Sequence, residues 1–156
     1  MATHGPLSIE DVLAIIPQKK PFRFLDRLTT LDDSRAVGEY TFRDDEFFYA
    51  GHFPGDPVTP GVILIETMCQ TGLVALGIYL LGLEAPRDEV AQTVTLFAES
   101  EVEFERIVRP GETVRVTAEK MYWRRRKLKS SVVLTLADGT PVAKGTVAGM
   151  GVRRGS

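Results

Sequence analysis

The side chains best suited to proton transfer in this sequence are one imidazole, His52, and one carboxyl, Glu66, which stand fourteen positions apart. His52 lies in the segment G-H-F-P-G-D-P, where prolines fix φ and glycines permit turns that other residues resist. A neutral imidazole can accept a proton and a carboxyl can donate one, so the two types together predict general acid–base chemistry. The alternative for His52 is a loop histidine that makes only structural hydrogen bonds.

Glu66 is the more informative of the two, because it lies in an almost entirely apolar run. Burying an unpaired ionised group costs several kcal/mol, and a buried carboxyl usually avoids this cost through a raised pKa, which keeps it neutral. Gln70 follows at the i+4 spacing that puts two helical side chains on one face, so its amide can hold the carboxyl in one orientation. Two alternatives stay open: an arginine could neutralise Glu66, and Gln70 could bond the backbone.

The segment Thr59-Pro60-Gly61 predicts the start of the helix that carries Glu66. Threonine can cap the first free N–H groups, and proline is tolerated at the first helical position. Glu66 would then lie roughly 7 to 8 Å along the axis from Gly61, whose N–H points out of the positive end of the helix. Gly61, with Val62 beside it, is therefore a candidate site for a developing oxyanion. The alternative is a glycine needed only for close packing.

The elements that must hold these residues follow from the apolar pattern. A helix that is apolar nearly all round extends from Val62 to Leu81, as expected of a helix buried on every side. A capping residue, Ser8, begins a short helix that ends at Pro17. Strands are predicted over residues 22–28, 36–42, 91–99, 102–107, 112–123, 128–137 and 141–149, with turn signals between them. One buried helix and many strands predict an α+β fold in which a sheet wraps a helix.

Composition narrows the function classes. The 156 residues are 44% hydrophobic and 26% charged, which suits one globular domain over residues 1–156, and a formal charge of −2 argues against nucleic acid as a partner. No secretory signal is visible at Met1, so we expect a cytoplasmic protein. Residues 58–83 are long enough to span a membrane, but Glu66 and Gln70 argue against it. With Cys69 as the single cysteine and two histidines, no metal site is expected.

The whole pattern G-H-F-P-G-D-P-V-x-P-G-V-x-x-x-E-x-x-x-Q resembles the active-site signature of the β-hydroxyacyl-acyl carrier protein dehydratases of fatty-acid synthesis, of the FabZ type. Upstream, IPQKKPFRFLDRL resembles the family's I-P-H-R-x-P-F-L-x-V-D-R, and DDEFFYAGHFPG resembles its N-E-x-F-F-x-G-H-F-P-G. Downstream, FERIVRPGETVRV resembles F-R-x-P-V-x-P-G-D-x-L. The resemblance covers nearly the whole chain.

This resemblance implies the hotdog fold and the removal of water from 3-hydroxyacyl thioesters, carried on acyl carrier protein, to give trans-2-enoyl thioesters. The implied roles are His52 as base, Glu66 as acid, the N–H groups of Gly61 and Val62 as oxyanion donors and Gln70 as a support for Glu66, with no cofactor. It also implies a homodimer that combines His52 of one subunit with Glu66 of the other, and a trimer of dimers as a larger assembly.

Several residues depart from the FabZ pattern. Gln18 and Lys19 stand where the family has His-Arg, and Thr59 stands where methionine is usual. Asp56 followed by proline, the G-I-Y-L-L-G end of the helix and a basic run resemble the FabA type, a bifunctional dehydratase/isomerase. That relative carries aspartate at the position of Glu66, which favours plain dehydration here. The pathway could be fatty-acid synthesis or a specialised polyketide or polyene pathway.

Other residues are weaker candidates for a functional role. Phe53 and Met68 could shape an acyl tunnel, although such side chains near an apolar helix are more often plain core. The basic run is usually the solvated end of a hairpin, but it could dock an acidic carrier protein; its cations are Arg124, Arg125, Arg126, Lys127 and Lys129. Two rival functions remain, a hotdog acyl thioesterase and a non-catalytic subunit that binds acyl carrier protein.

Overall fold

A long helix lies against one face of an antiparallel sheet in the computed structural model, which describes residues 5–155. The expectation that concerns Met1 lies outside the described residues. The helices are α1 (Ile9–Ile15), α2 (Gly61–Gly82) and α3 (Arg87–Ala91). The strands are β1 (Arg27–Leu31), β2 (Arg35–Thr41), β3 (Thr93–Phe104), β4 (Thr113–Arg124), β5 (Lys127–Leu136) and β6 (Pro141–Arg153).

The six strands follow the order β1-β2-β4-β5-β6-β3, and every neighbouring pair is antiparallel. Tight hairpins join β1 to β2 and β4 to β5, while β2 reaches β4 only after the chain has passed through α2 and β3. Because β3 pairs with β6 alone, one of its sides is a free edge of the sheet. This arrangement confirms the predicted α+β hotdog architecture, in which the sheet wraps around one central helix.

The core lies between α2 and the concave face of the sheet. Its larger cluster joins the first half of α2 to the centres of β2, β4, β5 and β6, and a second cluster joins the other half of α2 to α1 and α3. The middle turn of α2, Gln70–Ala75, is a π turn whose residues are all buried. By length and composition α2 could cross a membrane, but 72% of its apolar window is buried inside this fold, as in a core helix.

The predicted strand over residues 22–28 is wrong over its first five residues, since β1 begins only at Arg27. Around Phe22 and Phe24 the backbone is bound by a side chain rather than by a strand. Gln70 accepts a hydrogen bond from the Phe24 N–H at 2.6 Å and donates one to the Phe22 carbonyl at 2.9 Å. The buried Gln70 amide therefore replaces the neighbouring strand as the hydrogen-bond partner of this backbone. A local sequence pattern does not indicate such a contact.

Two further boundaries differ from the prediction. The expected strands over residues 91–99 and 102–107 form one strand, β3, interrupted by a bulge between Phe97 and Glu99. The polar connection before it contains the short helix α3, which begins after Pro86 with Asp88 and Glu89 in its first turn. Acidic side chains in that turn are favourable beside the positive end of a helix. Ser8 caps α1 as predicted, in a reciprocal capping box with Asp11.

Candidate functional site

The N-terminus of α2 is open. Pro60 is its N-cap residue and makes no side-chain cap, so the prediction that Thr59 caps the helix is wrong. The Thr59 hydroxyl instead bonds the Tyr49 hydroxyl at 2.6 Å. Within residues 5–155 the N–H groups of Gly61 and Val62 have no acceptor. Two donors at the positive end of a helix are thus available to an anion or a polarised carbonyl.

His52 is half-buried and is held by the loop that carries it. Its carbonyl accepts a hydrogen bond from the Val58 N–H at 2.9 Å, and its ring Nδ1 lies 2.9 Å from the Val58 carbonyl oxygen. A carbonyl can only accept, so Nδ1 carries the proton and the neutral ring presents an unprotonated Nε2. The geometry therefore leaves Nε2 as the ring nitrogen that is free to accept a proton.

The turn of this loop is fixed from both sides. Phe53 and Asp56 exchange a pair of backbone hydrogen bonds, of 3.2 and 2.9 Å, and the Phe53 ring stacks on the His52 ring at 4.1 Å. The Arg109 guanidinium pairs with the Asp56 carboxylate at 3.0 Å, and the Thr59 N–H bonds the Val108 carbonyl at 2.8 Å. The loop is thereby tied to the segment between β3 and β4.

Glu66 and Gln70 form the predicted contact. The Gln70 amide donates to Glu66 Oε2 at 2.8 Å, and Gln70 itself is fully buried. Because the same amide also bonds the Phe22 carbonyl and accepts from the Phe24 N–H, its orientation is set by three partners. Gln70 therefore contacts the carboxyl and also bonds the backbone.

Burial raises the pKa of the half-buried Glu66 carboxyl, and the Gln70 hydrogen bond opposes that rise only in part. Among residues 5–155 no basic side chain lies within ion-pair distance of Glu66, so no arginine of the described part of the chain neutralises it. A carboxyl that keeps its proton at a higher pH than usual is suited to proton donation. No hydrogen bond joins Glu66 to His52 within the described part of the chain.

The remaining candidates have distinct surroundings. Val62 is 73% exposed at the open helix end, next to Gly61, where an added Cβ would touch the Phe104 ring at 3.4 Å. Phe53 is also exposed, over a shallow surface hollow beside Tyr49. Met68 has no exposed surface and packs in the larger core cluster. Across the described ranges no three His, Cys, Asp or Glu side chains are arranged to hold a metal.

The basic run forms the tip of the β4–β5 hairpin. Arg125 and Arg126 are its two turn residues, both at positive φ. The tip lies about 36 Å from the start of β4, at about 3.3 Å per residue, and so stands at the opposite end of the sheet from the His52 loop of the same chain. Arg126 pairs with Glu89, and Lys127 lies 3.7 Å from Glu99. In the region described, Arg124, Arg125 and Lys129 make no ion pair.

Comparison with known proteins places this geometry in a family. Residues 16–146 match the model of the FabA-like domain. The chain is 40% identical to the 3-hydroxyacyl-[acyl-carrier-protein] dehydratase FabZ of Chloroflexus aggregans, over 85% of this chain and 88% of that protein. It is 38% identical to the FabZ of Herpetosiphon aurantiacus, over 89% and 94%.

Solved structures agree on the fold. The dehydratase heterocomplex ApeI:P of Xenorhabdus doucetiae superposes with a TM-score of 0.72 at 14% identity, covering 91% of each chain. A thioesterase of Haemophilus influenzae superposes with a TM-score of 0.69 at 10% identity, covering all of this chain and 98% of that one. At such identities the likeness concerns the fold alone. From the domain match and the sequence relatives, this chain belongs to the FabA-like family, among the 3-hydroxyacyl-[acyl-carrier-protein] dehydratases of the FabZ type.

Proposed function

We propose that this protein removes water from 3-hydroxyacyl thioesters on acyl carrier protein and gives trans-2-enoyl thioesters. Curated relatives with that activity in their names are 34–40% identical to it over most of its length. The observation that carries the proposal is the Glu66 carboxyl, which is half-buried, held by Gln70 and unpaired with any described cation. A carboxyl in that setting suits the protonation of a leaving hydroxyl.

In the first proposed step, Nε2 of neutral His52 takes the proton from the carbon α to the thioester carbonyl. The hydrogen bond from Nδ1 to the Val58 carbonyl orients the ring and supports the positive charge that it gains. The electron pair of the broken C–H bond moves toward the carbonyl oxygen. The free N–H groups of Gly61 and Val62 then stabilise the negative charge on that oxygen.

In the second step, the electron pair returns to form the C=C bond and the bond to the β-hydroxyl breaks. Glu66 donates its proton to the departing oxygen, so that water leaves and Glu66 becomes a carboxylate. His52 then holds the proton that Glu66 lacks, and transfer between them or through solvent restores the starting state. These steps involve no cofactor and no redox change.

We propose further that the working unit is a homodimer. The free edge of β3 and the adjoining surface expose large apolar side chains, which is unusual unless they are covered; they are Leu96, Phe97, Phe104, Ile107 and Val62. A second copy that paired along β3 would extend the sheet and bury these residues. Such a pair could also combine His52 of one subunit with Glu66 of the other, which lack a direct contact within one chain. Three dimers could associate into a hexamer through other surfaces.

The partner that delivers the substrate would be acyl carrier protein, in the cytoplasm. The unpaired cations of the hairpin tip, Arg124 and Arg125, and nearby Lys129 are the proposed docking surface. Complementary charge mainly speeds the encounter and fixes orientation. Fatty-acid synthesis and a specialised polyketide or polyene pathway both present this class of substrate.

A single assay separates the proposed reaction from its rivals. Incubated with the pure protein, a crotonyl thioester should gain water in the reverse reaction, seen as loss of the enoyl absorbance. Release of free thiol would instead indicate a thioesterase. If neither change occurs and acyl carrier protein still binds, the protein is a non-catalytic carrier-binding subunit.

Mixing two inactive variants tests the composite site. A dimer of one His52→Ala chain and one Glu66→Gln chain would contain one intact site only if each site takes its histidine and its glutamate from different chains. We expect hydration to reappear after subunit exchange between the two variants. Two pure variants that remain inactive when mixed, although they form mixed dimers by native mass spectrometry, would place both groups in one chain.

Replacing Gln70 by leucine should separate positioning from folding. The change leaves the buried Phe24 N–H without its acceptor and should lower the free energy of unfolding by about 1–3 kcal/mol. Because the Gln70 hydrogen bond lowers the pKa of Glu66, its loss should move the alkaline limb of the pH–rate profile to higher pH. The exposed Gln92, changed to leucine, is the matched control. An unshifted alkaline limb in Gln70→Leu would limit Gln70 to a structural role.

A further inference from the structure

Two buried hydroxyl groups close the base of the loop that carries His52. The Tyr49 and Thr59 hydroxyls are hydrogen-bonded at 2.6 Å, and the two residues are 5% and 3% exposed. Further out, the His52 carbonyl accepts from the Val58 N–H, and the His52 ring bonds the Val58 carbonyl. Residues 49–59 are therefore paired at two successive levels, and this hydroxyl pair is the inner, buried one.

Each member of the hydroxyl pair is anchored by contacts of its own. The Tyr49 ring belongs to the larger core cluster and packs edge-on against the Phe48 ring, with 4.7 Å between the ring centroids. The Thr59 N–H donates at 2.8 Å to the carbonyl of Val108, a residue with no exposed surface. The bond between the hydroxyls thus joins two points that are fixed by different parts of the fold.

Along the chain, the hydroxyl pair lies between the proposed base and the proposed oxyanion donors. His52 follows Tyr49 by three residues. On the other side, Gly61 follows Thr59 by two. The residue between those two, Pro60, is buried and has its φ fixed by its ring. A displacement of Thr59 would therefore be passed to the open end of α2, and a displacement of Tyr49 to the His52 loop.

The Tyr49 hydroxyl stays neutral in this contact. Burial raises the pKa of Tyr49 to about 12, against the opposing effect of the bond to Thr59. The phenol therefore stays protonated over the pH range in which an imidazole and a carboxyl exchange protons. Loss of the hydroxyl pair should then lower the maximum of the pH–rate profile and leave the pH of its two limbs unchanged.

We propose that the hydroxyl pair sets the position of His52 relative to the open end of α2, so that a bound thioester meets the base and the oxyanion donors together. The proposal rests on the proposed dehydratase function and adds two positioning residues to it, Tyr49 and Thr59. Neither hydroxyl touches the reacting atoms in this account. A reacting group misplaced by about 1 Å costs on the order of 100-fold in rate, so one hydrogen bond at the base of the loop can affect catalysis.

Two variants remove the bond from either side. Tyr49→Phe and Thr59→Val each delete one hydroxyl and keep nearly the same shape, so kcat should fall about 10- to 100-fold while KM changes little. Because each variant already lacks the bond, the double variant should lose no more kcat than either single variant. Thr59→Ser keeps the hydroxyl and should retain the wild-type kcat. Equal rates in Thr59→Val and Thr59→Ser would overturn the proposal.

Chemical denaturation of the same variants separates positioning from folding. Each single variant leaves a buried hydroxyl without a partner, whereas the double variant leaves none and should recover part of the lost stability. Positioning predicts that kcat of the double variant nevertheless stays low. A wild-type kcat per folded molecule in all three variants would reduce the hydroxyl pair to a structural role. If Tyr49→Phe does not fold, the comparison of Thr59→Val with Thr59→Ser carries the test.

Exchange of the substrate's α-protons with deuterated solvent assigns the defect to one half of the site. Removal of such a proton needs His52 and the oxyanion donors but not the acid, so exchange should fall together with kcat in Tyr49→Phe and Thr59→Val. Exchange at the wild-type rate in these variants would contradict the proposal. Thr113→Val, which breaks the 2.7 Å hydroxyl pair of Thr41 and Thr113 between β2 and β4, is the matched control and should keep the wild-type kcat.

The failure of this proposal can be told from that of the proposed function. Wild-type protein that hydrates crotonyl thioester, while folded Tyr49→Phe and Thr59→Val keep its kcat, would refute the positioning role and leave the dehydratase intact. Wild-type protein that hydrates no enoyl thioester would refute the function. The hydrogen-bonded amides of Asp56 and Val58 would still report on the loop in that case. Faster exchange of these amides in Tyr49→Phe would show that the hydroxyl pair holds the loop, and an unchanged rate would refute it.

Discussion

Replacing His52 by alanine should lower kcat/KM for dehydration by roughly 10²–10⁴-fold, the usual contribution of a positioned general base. The ring's contacts are with Phe53 and the Val58 carbonyl of its own half-exposed loop, so its loss should leave the core unchanged. Steady-state kinetics on a 3-hydroxyacyl thioester, with circular dichroism as the test of folding, would measure both.

The chain offers a matched control for this variant, because it contains one other histidine, His4. We expect His4→Ala to keep the wild-type rate. Exchange of the α-protons of the substrate with deuterated solvent should also stop in His52→Ala, since no base remains to remove them. A folded His52→Ala protein with wild-type turnover would exclude His52 from the mechanism.

The second large effect should come from Glu66→Gln, which keeps the shape and one oxygen that can accept from Gln70 but has no acidic proton. We expect a loss of roughly 10²–10⁴-fold in kcat/KM. Because His52 is unchanged, exchange of the substrate's α-protons should persist while elimination stops. The loss of exchange expected for His52→Ala should therefore not occur in Glu66→Gln. Glu119→Gln, an exposed change on β4, should have no effect. Elimination at the wild-type rate in Glu66→Gln would assign the acid to another group.

The pH dependence follows from the same carboxyl. Burial raises the pKa of Glu66 above its ordinary value of 4.5, so the proton needed for elimination is held to higher pH and the rate should fall as pH rises through the raised value. The free energy of unfolding should also fall as pH rises. The contribution of protonated Glu66 to the free energy of unfolding is fully present below the unfolded pKa and is lost as pH rises through the folded one. Chemical denaturation should detect this loss in the wild type and not in Glu66→Gln.

Much of the fold could be predicted because its signals are local. The apolar run from Val62 to Leu81 specified a buried helix, and Ser8 marked the start of α1. The segment around Phe22 was misassigned because a side chain distant in sequence, Gln70, bonds its backbone. Such contacts exist only after the chain has folded.

The contacts of the candidate site were likewise predicted only in part. The i+4 spacing predicted that Gln70 would hold Glu66, and the contact is present. The cap assigned to Thr59 was wrong because its hydroxyl bonds Tyr49, a partner ten residues away. The Val58 carbonyl, which contacts Nδ1 of His52, has no signal in the sequence, since any residue type supplies a carbonyl.

The π turn at Gln70–Ala75 accommodates one residue more than an α-helical turn would. One residue rotates a helix by about 100°, so the side chains after the turn point in directions shifted from those that a continuous α-helix would give them. The apolar pattern of the second half of α2 is therefore offset from that of the half that carries Glu66. Substitutions after the turn can therefore alter how the second half of α2 packs on α1 and α3 without changing the direction in which Glu66 points.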